Sequence, residues 1–450
     1  MTTEHETAAL YQRFEALLRG DDVEAARALL APVHPADQAD LYLALDDSDR
    51  EAMLALLAAE GLANILEHLD EEPLEELVDR IPRSTLSRVL DLTKNDIAAD
   101  VLRLLPPADA VRTLSTMTTA REITPLLAHA DESAGGIMTR GYVALHKDMT
   151  VGEAANFLRL SKPGAEEAYY LYVLDAQNRL QGIVNLRQLV VSDPESRIED
   201  AMAREVVSVR PDTDQEEAAR LLQRYRLRAL PVVDEDGTLS GIITSDDVID
   251  VIQEEATEDI YQIVGLPADE SVYAPLTESV RRRLPWLLIN LVTAFAGVGV
   301  VSLFQGTIER AAALAVFMPV VAGQGGNAGI QTITIIVRGI AVGEIELRDA
   351  RRILGREIAI GLIKGLVIGT VVGVFAWVAL DGWAWGVVVG FALIGNLALA
   401  GAFGALIPLG LRSLRLDPAV ASGIFLTMIT DALGFLLLLG LGRLMIDQLT

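Results

Sequence analysis

Apolar positions along the chain follow three different rhythms. Through about residue 130, Leu, Ala, Ile and Val recur at the spacing of one helix face, interrupted at Pro35, Pro73, Pro82, Pro106 and Pro107. A polar stretch precedes each new apolar run, as at His34-Pro35-Ala36-Asp37, Asp70-Glu71-Glu72-Pro73 and Lys94-Asn95-Asp96. These units recur irregularly and predict short capped helices stacked into a superhelical array. From about residue 138 to 255 the rhythm changes to short β-rich runs between amphipathic helices. Further on, five apolar stretches (285–304, 311–337, 358–380, 383–409 and 419–444) are each long enough to cross a ~30 Å hydrocarbon core as a helix.

The middle region is duplicated. Leu171-Tyr172-Val173-Leu174-Asp175, continuing through Leu180, Gly182 and Ile183, returns 59 residues later as Leu230-Pro231-Val232-Val233-Asp234, continuing through Leu239, Gly241 and Ile242. Upstream, Met138 and Ala154 match Met202 and Ala218 at an offset of 64. The first copy therefore carries five extra residues, expected around 161–166. Each copy reads strand, helix, strand, turn, strand, helix, with Asp234-Glu235-Asp236-Gly237 as a hairpin turn.

Charge divides the chain at about residue 270. The first 270 residues hold 53 of the 63 acids and 24 of the 37 bases, a net of −29; the remainder is +3. So acidic a half is a poor partner for nucleic acid and a good one for divalent cations, although a solvated acidic surface alone has the same composition. The absence of Cys excludes thiol chemistry and Cys-based metal sites, and no P-loop, catalytic triad or metal-hydrolase motif points to an enzyme. Arg281, Arg282 and Arg283 precede the first apolar stretch; Arg338, Arg348, Arg351, Arg352 and Arg356 follow the second; Arg412 and Arg415 follow the fourth. The positive-inside rule then places the N-terminus in the cytoplasm and the C-terminus outside.

Asp431 carries the strongest chemical signal. It lies about 20 Å into the fifth stretch at ~1.5 Å per residue, near mid-membrane, where a carboxylate costs roughly 2.5–3.5 kcal/mol. It is either a cation site on a pore or a protonated acid that ties helices together. Thr427 and Gly434 share its helix face, and Thr430 is adjacent. The second stretch contains Pro319 and Gly323-Gln324-Gly325-Gly326-Asn327-Ala328-Gly329, which is expected to loosen or break the helix. Its carbonyls, with the amides of Asn327, Gln331 and Asn396, could line an ion path, or the glycines could serve close helix packing.

A second cluster lies where the duplicated region ends. Asp247, Asp250, Glu254 and Glu258 share a helix face, flanked by Asp246, Glu255 and Asp259, and Asp212, Asp214, Glu216 and Glu217 form another acidic run. Like charges at those spacings destabilise a helix unless neutralised. Hard oxygen donors without His or Cys suit Mg²⁺ or Ca²⁺.

The duplicated pair resembles a tandem CBS module, a regulatory unit that often binds adenine nucleotides such as ATP. Thr244-Ser245-Asp246-Asp247 matches that family's Thr-x-x-Asp ribose contact through Thr244 and Asp247, whereas Asn185-Leu186-Arg187-Gln188 departs from it. Over essentially its whole length the chain resembles the MgtE family of magnesium channels and transporters. The resemblance rests on Ala134-Gly135-Gly136-Ile137-Met138-Thr139, Ala256-Thr257-Glu258-Asp259-Ile260, Pro319 before Gly325-Gly326-Asn327, and Asp417-Pro418-Ala419 leading into Thr430-Asp431.

It implies a multidomain membrane protein of the cell's inner membrane: an acidic helical N domain (1–130), a tandem CBS α/β module (131–259), a connecting helix (260–283, centred on 273–283) and a five-helix transmembrane domain (284–450). It implies a homodimer in which Asp431 of both subunits holds hydrated Mg²⁺, with Asn327, Thr427, Thr430, Gly325, Gly326 and Asn396 along the path. It also implies a cytosolic Mg²⁺ sensor built from Asp214, Glu216, Asp247, Asp250, Glu255, Glu258 and Asp259, with Asp417 at the inner mouth and Asp96 from the N domain. Arg226 stands where the family pattern has an acid, which would remove or weaken one sensor ion. The competing expectations are a CBS-regulated secondary transporter with Asp431 as proton relay, and a membrane-anchored nucleotide sensor.

Overall fold

In this computed structural model, residues 3–20, 22–69, 71–164, 168–267, 270, 275–420 and 422–449 are described. The chain divides into two compact units, Met1–Ile252 and Gln253–Thr450.

The N-terminal part of the first unit is a stack of short helices with a regular period. Helices begin at Pro35, Ala59, Arg83 and Pro107, and the intervening ones at Asp47, Glu71 and Asn95. Both series advance by 24 residues, so the units that look irregular in sequence form a uniform repeat. Carboxylates tie successive repeats together. Glu67 accepts from the backbone N–H of Lys94 at 2.8 Å, and Asp91, one repeat later, accepts from the N–H groups of Thr118 and Thr119 at 2.8 and 3.0 Å. Burial pushes the Asp91 carboxyl up, but these bonds outweigh it and hold it below the ordinary carboxylate range. Tyr42, Met53, Ile65, Leu66, Leu77, Leu86 and Leu90 fill the core.

The duplicated region forms two interlocked α/β copies. In the first, β1 (Val143–His146) pairs parallel with β2 (Leu171–Leu174), and β2 pairs antiparallel with β3 (Leu180–Val184). In the second, β4 (Ala229–Val233) pairs antiparallel with β5 (Leu239–Thr244). Each copy lends its leading segment to the other. Thr139 bridges Ile242, and Ala203 bridges Ile183. The two glycines matched in sequence make this possible. A Cβ on Gly241 would sit 2.8 Å from Met138 Sδ, and one on Gly182 would sit 2.8 Å from Met202 Sδ. Helix Val151–Ser161 ends in the left-handed region at Lys162 (φ 48°), and helix Gln215–Tyr225 does the same at Arg226 (φ 52°). The extra residues of the first copy lie between Lys162 and β2, and 165–167 fall outside the described residues.

Among the described residues, the second unit contains five helices long and apolar enough to cross a membrane: Leu276–Leu303, Ala313–Ala341, Ala350–Ala379, Trp383–Ser413 and Ser422–Leu444. They correspond in order to the five apolar stretches and are termed the first to fifth spans. The segment 260–283 is not one separate helix. It holds the end of helix Asp247–Ile263 and, from Leu276, the opening turns of the first span; residues 268, 269 and 271–274 fall outside the described ones.

The second span is not broken. It is α-helical from Ala313 to Ala341 with Pro319 inside. Pro319 removes a single N–H, and each glycine keeps its own, so the ladder continues on either side. The glycine penalty, roughly 1 kcal/mol each, is offset by packing that a Cβ would prevent. A Cβ on Gly325 would lie 2.3 Å from Asn396 Nδ2, and one on Gly329 2.4 Å from Leu426 Cδ2. The third span repeats the device at four-residue intervals: Gly361, Gly365, Gly369 and Gly373 each lie against the backbone of the fourth span.

Candidate functional site

Asp431 lies near the middle of the fifth span, half-buried, with no hydrogen-bond or ion-pair partner among the described residues. Its neighbours are self-sufficient. Thr427 Oγ1 donates to the Gly423 carbonyl at 2.8 Å, and Thr430 Oγ1 donates to the Leu426 carbonyl at 3.0 Å. Thr430 is fully buried, whereas Thr427 is half-buried like Asp431. Gly434 leaves the expected stripe: its Cα faces Asn396 Nδ2 and Val321, so this glycine serves packing inside the chain.

Asn396 is the junction of three spans. It is fully buried, and its Nδ2 donates to the Val321 carbonyl of the second span at 2.8 Å. Gly325 and Gly434 make room for it from the second and fifth spans. Its Oδ1 is buried without a partner among the described residues, which leaves one amide oxygen of the bundle available to an ion, a water or a proton donor.

The second span presents two faces. Gly325, Ala328 and Gly329 are buried, while Gly323, Gln324 and Asn327 are exposed and Gly326 has open space above it. Asn327 therefore lies on a polar strip of the outer face at mid-span. Gln331 does not share its availability, because its Oε1 accepts from Lys364 Nζ at 3.0 Å. An ammonium beside that amide is unfavourable company for a cation, and this withdraws Gln331 from the expected ion path. Asp417, before the fifth span, is exposed and accepts from the Ala419 N–H at 2.8 Å.

A second cluster joins the helical repeats to the duplicated region within the first unit. Lys94 Nζ lies 2.9 Å from Asp246 Oδ2 and 3.7 Å from Asp247 Oδ1. Asp247 also accepts a short hydrogen bond from Thr244 Oγ1. Asp96 is 5 % exposed, and its Oδ1 has no partner among the described residues. Burial, and then the nearby charge of Asp247, push the Asp96 carboxyl up to about 8. Burial likewise raises Asp247 against the opposing pull of Lys94. Asp246 is also raised by burial, but the bonds from Lys94 and Thr244 prevail and hold it low. A buried acid pair with one orphaned oxygen is a place where a divalent cation fits, since it would replace both the missing partner and the proton.

The other acids are dispersed. Asp214 caps helix Gln215–Tyr225 by accepting from the Glu216 N–H at 2.8 Å. Asp250, Glu255, Glu258 and Asp259 line helix Asp247–Ile263, where Glu258 accepts from Gln262. Among the described residues, no three of these carboxylates converge on one point. In the first copy, Asn185 and Gln188 form the capping box of helix Leu186–Val191, with reciprocal bonds of 2.9 and 2.8 Å. Lys94 stands out in the sequence only as part of the polar stretch before a helix, and Glu357 and Lys364 only as charges in or beside an apolar stretch.

Five apolar helices with a carboxylate near the middle of the fifth, behind a helical repeat and an interlocked α/β pair, define the class as a multi-pass membrane protein with a large two-part domain ahead of its spans. Residues 33–132 match the MgtE intracellular N domain, 134–193 and 198–254 match CBS domains, and 318–441 match MgtE, described as a divalent cation transporter. The chain belongs to the MgtE family. It is 37% identical over 442 residues to the magnesium transporter MgtE of Thermus thermophilus, covering 96% of this chain and 97% of that one. It is 29% identical to the magnesium transporter MgtE of Bacillus subtilis, covering 98% of each. A crystal structure of the cytosolic domain of the Mg²⁺ channel MgtE in complex with ATP is 39% identical, with a TM-score of 0.51, covering 54% of this chain and 99% of that one. Likenesses to inosine-5′-monophosphate dehydrogenases reach only about a quarter of the chain: 26% for that of Nitrosopumilus maritimus. The family match is thus to transporters and not to enzymes.

Proposed function

We propose that this protein is a homodimeric Mg²⁺ channel that imports Mg²⁺ and is closed by Mg²⁺ on its cytosolic side. The observation that carries the reading is the half-buried Asp431 carboxylate, placed mid-span without a partner among the described residues. Mg²⁺ sheds water reluctantly, so a carboxylate from each of two copies would hold it through its hydration shell. Asn327, Gly325 and Gly326 of the second span, Thr427 and Thr430 beside Asp431, and the free oxygen of Asn396 are the proposed oxygen-rich path. The C-terminus lies outside in this reading, and Asp417 stands at the inner mouth.

The proposed sensor begins at Asp96 and Asp247 and extends to Asp250, Glu255, Glu258 and Asp259, with Asp214 and Glu216 as further ligands. Mg²⁺ at the Asp96–Asp247 pair would displace the proton that burial holds there and join the N domain to the CBS pair. It closes the pore only if it binds the closed state more tightly than the open one. ATP is the proposed nucleotide of the second CBS copy, at Thr244 and Asp247; the ATP-bound relative supports it, and Lys94 competes for the same carboxylate.

The test is Mg²⁺ uptake into proteoliposomes under an imposed voltage with no proton gradient. Uptake is expected to continue. Uptake that appears only with a proton gradient would establish the competing reading, a coupled transporter with Asp431 as proton relay.

A further inference from the structure

The second and third spans enclose a cleft of about 490 Å³ that the proposed ion path does not use. Its walls carry Arg356, Ile360 and Lys364 from the third span, and Gln331, Thr334 and Ile335 from the second. Arg356, Ile360 and Lys364 are spaced four apart and form one ridge. Arg356 is exposed and has no partner among the described residues. Lys364 is held only by the neutral amide of Gln331 among the bonds described, so its charge is not cancelled. Glu357, the single acid among the described residues of the cleft, is 7 % exposed, and its Oε2 accepts from Thr332 Oγ1 at 3.3 Å inside the bundle. The open surface of the cleft therefore displays two cations.

Depth gives these cations a meaning. With a cytosolic N domain, the second span ends and the third begins on the cytoplasmic side. Arg356 precedes the apolar stretch of the third span by two residues, at the level of lipid headgroups. Lys364 is eight residues further, about 12 Å along the axis. Its side chain leans toward the helix N-terminus, back toward the same surface. Ile335 and Ile360 supply apolar walls between and beside the charges. We infer that this cleft binds an anionic phospholipid of the cytoplasmic leaflet, with its phosphodiester at Arg356, its glycerol-ester region toward Lys364 and its acyl chains along Ile335 and Ile360. The inference is independent of what the pore carries. A lysine or arginine near an anionic membrane surface is worth about fivefold in affinity, so two give a preference of about thirtyfold over a zwitterionic lipid.

The test is native mass spectrometry of the full-length protein in detergent, titrated with phosphatidylglycerol and with phosphatidylcholine of the same chains. Phosphatidylglycerol is expected to be retained at a concentration at least tenfold lower, and the double variant Arg356→Gln, Lys364→Leu is expected to lose that preference. The wild-type comparison of two lipids stands even if the variant fails to fold. Equal retention of both lipids, or an undiminished preference in the variant, would overturn the assignment. Displacement of the lipid by inorganic phosphate would also overturn it, by making the cleft a soluble-anion site. Because the chain has no Cys, Thr334→Cys gives a clean cross-linking probe. Efficient disulfide formation between two copies at that position would show an interface between copies instead of a lipid site.

Discussion

Replacing Asp96 with Asn tests the energetics of the buried acid pair. Asp96 is 5 % exposed with one oxygen unpartnered among the described residues, and burial plus the charge of Asp247 raise its carboxyl to about 8, against roughly 3.9 in an unfolded chain. Between those two values the unfolded state has released a proton that the folded state keeps. Metal-free folded protein therefore loses stability as pH rises through that window, by about 1.4 kcal/mol per pH unit, and the loss levels off above about pH 8. From pH 5 to 7 the loss is about 3 kcal/mol. Asn has nearly the same shape and does not titrate. Hydrogen exchange of the amides in helix Asn95–Leu104, in EDTA, reads the difference directly. Comparing variant with wild type at the same pH cancels the intrinsic pH dependence of exchange. The ratio of protection, variant over wild type, is expected to grow about tenfold per pH unit between pH 5 and 7. Millimolar Mg²⁺ at pH 7 should restore protection in the wild type but not in the variant. A ratio that stays flat over pH 5–7 would show that Asp96 ionises like an exposed carboxylate, and the reasoning would fail.

Two further outcomes are expected. Gly361→Ala places a Cβ 2.4 Å from the Leu397 carbonyl, which forces the third and fourth spans apart at a cost of about 1–3 kcal/mol, whereas Gly355→Ala meets nothing within 4 Å. Thermal unfolding in detergent should show a lower Tm for the first and not the second; equal Tm values would contradict the close packing. Neutralising Asp247, Asp250 and Glu258 together (Asn, Asn, Gln) should leave patch-clamped channels conducting at high internal Mg²⁺, and unchanged block would remove these residues from the sensor.

Much of the architecture could be read before the structure, for identifiable reasons. The five spans stand out because hydrocarbon demands unbroken apolar length. The duplicated region stands out because Leu171–Asp175 and Leu230–Asp234 share Leu, Val and Asp at the same three positions, and Leu180, Gly182 and Ile183 return as Leu239, Gly241 and Ile242. Even the mismatch of offsets, 64 upstream and 59 downstream, was a true sign of extra residues after Lys162. The exchange of leading segments between copies was not legible, because a methionine over a glycine carries no signal of which copy it belongs to. The 24-residue helical repeat was hidden because His34 and Ala58 open helices equivalent to those that Pro82 and Pro106 open, so no single residue type marks all four starts. At the candidate ion path, Asp431 and Asn396 drew attention as polar groups in apolar sequence. The expectation of a broken second span failed because glycines facing Asn396 and Leu426 gain in packing what they lose in helix propensity. The ion pairing of Lys94 was not legible because its partners, Asp246 and Asp247, are 152 and 153 residues away in the chain.

The central claim is that Mg²⁺ passes over Asp431. Its most direct test is Mg²⁺ flux through full-length protein reconstituted in liposomes, wild type against Asp431→Asn, at equal protein incorporation and the same imposed voltage. The account expects flux to fall at least tenfold, about 1.4 kcal/mol in the barrier, because the amide keeps the shape and removes the charge that holds the hydrated ion. Equal flux in the two proteins would contradict it.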